Sequence, residues 1–146
     1  MKRLIAAALA AFLLAQPAMA QHGDEADIAL RRGMMHRDGG DAALAAHWLG
    51  VAAARGMPEA MFLLATMLLE GGGVPKDEAA ARRWLEAAAQ LDYPEAWQQL
   101  GMMEQDPEKA NQYFRRAAHA LTHRAEGSAS GADAKSGPRL RGGDGF

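Results

Sequence analysis

The side chains of this sequence best suited to chemistry are soft metal ligands. His119 and His123 stand four residues apart, which on a helix puts two imidazoles on one face. Met34-Met35-His36 and Met102-Met103 add thioethers of the kind that hold copper. Of the nine methionines, however, Met1, Met19, Met57 and Met67 fall at the start, in a leading apolar segment, in a turn and in a core pattern. No third ligand accompanies the histidine pair along the chain, so a surface pair near a helix end is the plain reading. Copper binding by His119 and His123 is the alternative. No catalytic set emerges either. Cysteine is absent, and the three serines, at 128, 130 and 136, sit in a glycine-rich tail. H-E-x-x-H, G-x-S-x-G and S-x-x-K are all missing, and no cofactor is implied. The loop "GGGVPKD" from Gly71 has the glycines and lysine of a phosphate cradle. Lys76 precedes Asp77 rather than Ser or Thr, though, and no strand leads in.

If reactive groups are not what the chain offers, the elements that would carry a surface become the question. Lys2 and Arg3 precede the apolar run "LIAAALAAFLLA", and Ala18-Met19-Ala20 follows with the small-x-small pattern of a signal-peptidase site. The first 20 residues are therefore expected to be a cleaved signal peptide, with the mature chain starting at Gln21 in the periplasm or outside the cell. The apolar run is too short for a span of about 20 residues, and no membrane span is expected in the mature chain. Without Lys2 and Arg3 there remain 14 basic and 18 acidic side chains, a formal charge of −4. No basic surface invites nucleic acid.

The chain repeats itself. "PEAMFLLATMLL" at Pro58 returns as "PEAWQQLGMMEQ" at Pro94, and "AAHWLGVAAARG" at Ala45 as "ARRWLEAAAQLD" at Ala81, both 36 residues on. A third copy of the latter, "ANQYFRRAAHAL" at Ala110, follows after 29. Ala45, Trp48, Leu49 and Ala52, then Ala81, Trp84, Leu85 and Ala88, then Ala110, Tyr113, Phe114 and Ala117 keep the i, i+3, i+4, i+7 spacing of one helical stripe. That stripe places Trp48, Trp84 and Tyr113 in the core. Each unit thus pairs a first helix, A, with a second, B. Asp77 and Asp106 are expected N-caps, Pro94 and Pro107 expected first helical residues, and Gly56 an expected left-handed terminator. The glycines at 71 to 73 reverse the chain.

These residues resemble the Sel-one-like repeat (SLR) family, relatives of the tetratricopeptide repeat. Residues 58 to 90, "PEAMFLLATMLLEGGGVPKDEAAARRWLEAAAQ", follow the family order A-x-x-x-L-G, G-x-G-V-x-x-D, A-x-x-W-x-x-x-A-A. Departures are Ala65 for a glycine, Asp92 for the closing glycine, and Arg31 after Leu30 in the first unit. The resemblance implies an all-α, right-handed α-α superhelix of three hairpins over residues 21–121, with units of about 24–56, 57–92 and 93–121. Residues 122–146, poor in apolar side chains, are expected to be a disordered tail. The family's concave face implies binding of a protein or peptide and no catalysis. The implied groove positions are Ile28, Arg32 and Met35, then Phe62, Thr66 and Leu69, then Gln98, Met102 and Gln105. Trp97 is expected at an inter-repeat contact or as a partner anchor.

Overall fold

The computed structural model describes residues 17–133. The first part of the expected signal peptide, 1–16, and the end of the expected tail, 134–146, lie outside the described residues. All regular elements described are helices: α1 Pro17–Asp38, α2 Ala42–Ala54, α3 Pro58–Glu70, α4 Glu78–Gln90, α5 Pro94–Met103 and α6 Pro107–Asp133. They pair as hairpins α1/α2, α3/α4 and α5/α6, and the hairpins stack through α2 on α3 and α4 on α5.

The stripe residues explain why the hairpins close. Ala45, Leu49, Ala52, Ala81, Leu85, Ala88 and Leu100 are all fully buried. Alanine at most of these positions lets helix axes come close, and each leucine at full burial contributes about 1.5–3 kcal/mol of transfer free energy. The larger stripe residues behave differently from expectation. Trp48, Trp84 and Tyr113 are half-buried, lying against the core rather than inside it. Closely packed alanines leave little space for a large ring between the helices, and Trp48 and Tyr113 instead meet A-helix side chains of their own hairpins, Arg32 and Trp97.

Local signals set the helix ends. The Asp77 carboxylate accepts from the Ala80 N–H at 2.8 Å, that of Asp106 from the Glu108 N–H at 2.9 Å, and that of Asp41 from the Leu44 N–H at 3.1 Å. Pro94 and Pro107 open α5 and α6. Gly56 and Gly71 take left-handed φ values of 86° and 68°. Asp92, standing where the second unit wants its closing glycine, is forced to a φ of 55°.

Close approach explains two further glycines. A β-carbon on Gly33 of α1 would lie 2.7 Å from Leu49 Cγ, and one on Gly101 of α5 would lie 2.7 Å from the Phe114 ring. The first unit therefore has its close-approach glycine after all, two positions beyond Arg31.

The end of the third unit differs from the sequence boundary. α6 runs through 121 to Asp133, so the first part of the expected tail is helical. Arg124 supplies a reason. Its guanidinium forms a two-pronged fork with Glu95 of α5, both N···O distances being 3.0 Å. Ala110, Ala117 and Arg124, spaced by sevens, carry the same helix face past the boundary.

Candidate functional site

The groove positions implied by the resemblance fall on α1, α3 and α5, the A helices. Ile28, Arg32 and Met35 of α1 are exposed, as are Gln98 and Met102 of α5, with Met35 at 62% and Met102 at 66% exposure. Phe62, Thr66 and Leu69 of α3 are half-buried and line the same row. Gln105 is a correction: α5 ends at Met103, so this residue lies in the turn to α6, where its N–H donates to Glu104 Oε1 at 3.0 Å. The short connection from Glu104 to Pro107 leaves no room for a further helical turn.

Several of these side chains already have partners. Arg32 lies over the Trp48 ring, 4.6 Å from its centroid. Thr66 donates its hydroxyl to the Phe62 carbonyl at 2.9 Å. The Phe62 ring leans on Tyr93, 5.7 Å away at the head of α5, so it crosses the seam between the second and third units. Tyr93 in turn receives the Arg124 guanidinium at 5.5 Å. Burial, reinforced by the nearby Glu95 and Glu59 carboxylates, pushes the Tyr93 hydroxyl above its ordinary pKa. The Arg124 fork holds Glu95 below the usual carboxylate range.

Trp97 stacks on Tyr113 within its own hairpin, at 5.9 Å and 27°, and Arg116 covers it at 4.9 Å. Two open clefts border this ring. One, of about 430 Å³, is lined by Glu86 and Gln90 of α4, Trp97 and Leu100 of α5, and Lys109 and Tyr113 of α6 among others. The other, of about 410 Å³, is lined by Asp92, Trp97, Arg115, Arg116 and His119. The residue equivalent to Trp97 in the second unit, Met61, is buried.

The histidine pair is brought together as its spacing requires, with the Nε2 atoms of His119 and His123 3.2 Å apart on the exposed surface of α6. Among the described residues no group of three His, Cys, Asp or Glu side chains converges. Nor is any described helix long and apolar enough to cross a membrane. Sequence reading missed the Arg124–Glu95 fork and the Arg116 cover on Trp97. The seven-residue spacing of 110, 117 and 124 was the available clue to the first; the second had none.

Stacked A/B hairpins that, among the described residues, bring together no convergent reactive set define a helical repeat scaffold of the right-handed α-α superhelix type. The Sel1 repeat family model matches residues 58–93 and 97–120. Residues 58–120 thus carry Sel1 repeats, and the first hairpin lies outside the matched residues. Among solved structures the chain is similar to a Sel1 repeat protein from Oxalobacter formigenes, at 25% identity and a TM-score of 0.61. That likeness covers 77% of this chain and 49% of the other, so the chain spans about half the length of the protein it matches. No curated protein matches. Sel1 repeats are a scaffold fold that usually mediates protein interactions.

Proposed function

We propose that this protein is an exported, non-catalytic scaffold that holds a peptide or helix of a partner protein along the A-helix row of α1, α3 and α5. The observation that carries the reading is the exposure of Met35 and Met102 at the two ends of the row, beside half-buried Phe62 and Leu69. Methionine is unbranched and polarizable, so it fits an apolar side chain laid along the row without a preformed pocket. Export rests on the basic and apolar leader with its Ala18-Met19-Ala20 site. Removal of residues 1–20 would cost none of the buried side chains described, since the first of these is Ala26.

Two measurements test the reading. Captured on the wild-type chain from envelope extract, a partner should be lost when Met35→Glu and Met102→Glu are combined. Both side chains are more than half exposed, so helical circular dichroism should be unchanged. Retention of the partner by this variant removes the groove assignment. N-terminal sequencing of the protein from cell fractions should find Gln21 as the first residue in the periplasmic fraction. An intact Met1 in the cytoplasm overturns export.

A further inference from the structure

The three B helices can be compared with one another, and the third differs at its outer face. Leu49 of α2 lies on Gly33 as Phe114 of α6 lies on Gly101. Leu49 is nevertheless 0% exposed and Phe114 41%. Ala53 and Ala89 are 1% exposed, while Ala118, the matching residue of α6, is exposed. What closes the first two positions is the next A helix: α3 packs on α2 and α5 on α4. Among the described residues nothing follows α6 in that role. Phe114, Ala118, Leu121 and Ala125, at i, i+4, i+7 and i+11, form an apolar stripe open to solvent, with Leu121 at 42% exposure.

The charge around this stripe selects among occupants. Between Glu108 and Glu126 the helix carries no acidic residue, and of its basic side chains Arg124 is held by Glu95, Lys109 faces Asp106 and Arg116 covers Trp97, which leaves Arg115 as the cation turned to solvent beside the stripe. The chain as a whole is at −2. Arg115 borders the stripe directly, one residue on from Phe114, and lines the cleft beside Trp97 with Arg116 and His119. A second copy pairing α6 on α6 would bring like charges together. The exposed side of α1 in a second copy mixes Ile28 and Met35 with Asp24, Asp27, Arg31 and Arg32, so it offers neither a continuous apolar stripe nor a net acidic charge to this face.

We infer that the α6 end face of Phe114, Ala118 and Leu121 docks an acidic, amphipathic helix of a partner protein, which completes the stack as α3 and α5 do inside the chain. The form of the occupant is drawn twice in this molecule. Both covering helices open with Pro-Glu-Ala, and Ala60 and Ala96 within them are fully buried. A small residue at that position lets the partner helix approach closely, and acidic residues flanking its apolar face meet Arg115. This site is separate from the A-helix row, so either can fail without the other.

The chain's own covering helix is the probe. A fluorescent, stapled peptide with the sequence of residues 93–106, which carries Glu95, Glu104 and Asp106, is titrated into the full-length protein and followed by anisotropy. Binding to the wild type is expected, weakened at least about tenfold by Leu121→Glu and by Ala118→Glu, each about 1.4 kcal/mol or more. A peptide with its three acids replaced by lysine should bind more weakly than the original. The Met35→Glu, Met102→Glu variant should bind the original peptide as the wild type does. The proposal is overturned by no binding, by equal affinity for Leu121→Glu, by preference for the lysine peptide, or by loss only in the Met35/Met102 variant. A wild-type dimer in sedimentation that Leu121→Glu converts to monomer would assign the face to a second copy instead, and likewise overturn it.

Discussion

Three glycines inside helices give a test of the packing, because the same change to alanine should have three outcomes. In open space an added methyl only improves the helix, since glycine costs about 0.8–1.0 kcal/mol relative to alanine in a helix interior. Gly50 of α2 has nothing within 4 Å of its would-be β-carbon, so Gly50→Ala should stabilise the chain by about 0.5–1 kcal/mol. At Gly33 the methyl would meet Leu49 Cγ at 2.7 Å, Cδ2 at 2.8 Å and the backbone nitrogen at 3.1 Å. Leu49 is fully buried and has nowhere to go, so α1 and α2 must separate. Overpacking of this kind costs about 1–3 kcal/mol, and the upper part of that range, about 2–3 kcal/mol, applies where a buried side chain and a backbone atom are both met; subtracting the helix gain leaves Gly33→Ala destabilised by about 1–2 kcal/mol. At Gly101 the obstruction is the edge of the Phe114 ring, which is 41% exposed and free to swing outward. The two terms should then nearly cancel, to within about 0.5 kcal/mol of wild type.

Urea unfolding followed at 222 nm measures all three; in heat, each kcal/mol corresponds to about 4–8 °C for a domain near this size. A double-mutant cycle isolates the cause. Leu49→Ala alone should cost about 2–5 kcal/mol, and adding Gly33→Ala to it should cost at least about 1 kcal/mol less than in the wild-type background. Equal stability of Gly33→Ala and wild type, or destabilisation by Gly50→Ala, would refute the close approach of α1 and α2.

Asp92→Gly should stabilise the chain by about 0.5–1 kcal/mol by relieving a side-chain-bearing residue at φ 55°, as read by the urea midpoint. The Arg124–Glu95 fork is partly exposed, with side chains at 50% and 38%, so Arg124→Ala should cost no more than about 1 kcal/mol at pH 7 and low salt. Glu95 is depressed in the folded chain relative to the ordinary 4.5, so its contribution is present above that pH and is lost as pH falls through the lowered value. The stability gap between wild type and Arg124→Ala should accordingly close under acid titration; a gap that persists at pH 2 would point to lost packing on Tyr93 instead.

The elements legible in the sequence were those fixed by near neighbours. The 36-residue offset, the stripe of Ala45, Leu49 and Ala52, and the caps Asp77 and Asp106 each depend on residues within one or two turns, and the helices follow them. What escaped depends on how helices sit against each other. Arg32 on Trp48, Arg116 on Trp97 and Arg124 on Glu95 are long side chains whose partners lie 16, 19 and 29 residues away. Backbone spacing alone does not select among the acids and rings within their reach. Gln105 was lost for the opposite reason, since one turn of helix depended on a cap at the short Glu104 to Pro107 connection. The A-helix row was legible as positions and not as a site: exposure separates Met35 and Met102 from Phe62, and that follows from the stacking of hairpins.

The glycine loop of the second unit shows how a repeat can lose a part and keep its function in the stack. Sequence gives the loop one task, reversing the chain. The structure adds another, because a β-carbon at Gly73 would collide with the Ala42 methyl at the head of α2. The loop thus rests on the preceding hairpin and ties the second unit to the first. In the third unit the loop is gone, and the same place in the stack is filled from the other side. Arg82, one turn into α4, donates to the Met103 carbonyl at 3.3 Å and faces the Glu104 carboxylate at 4.0 Å. A cation on the exposed carbonyls at the end of α5 is favourable on its own account, since the helix dipole is negative there. One inter-unit tie is made by backbone at Gly73, where a β-carbon would collide, and the other by the Arg82 guanidinium. The units can therefore differ by seven residues while keeping one stack.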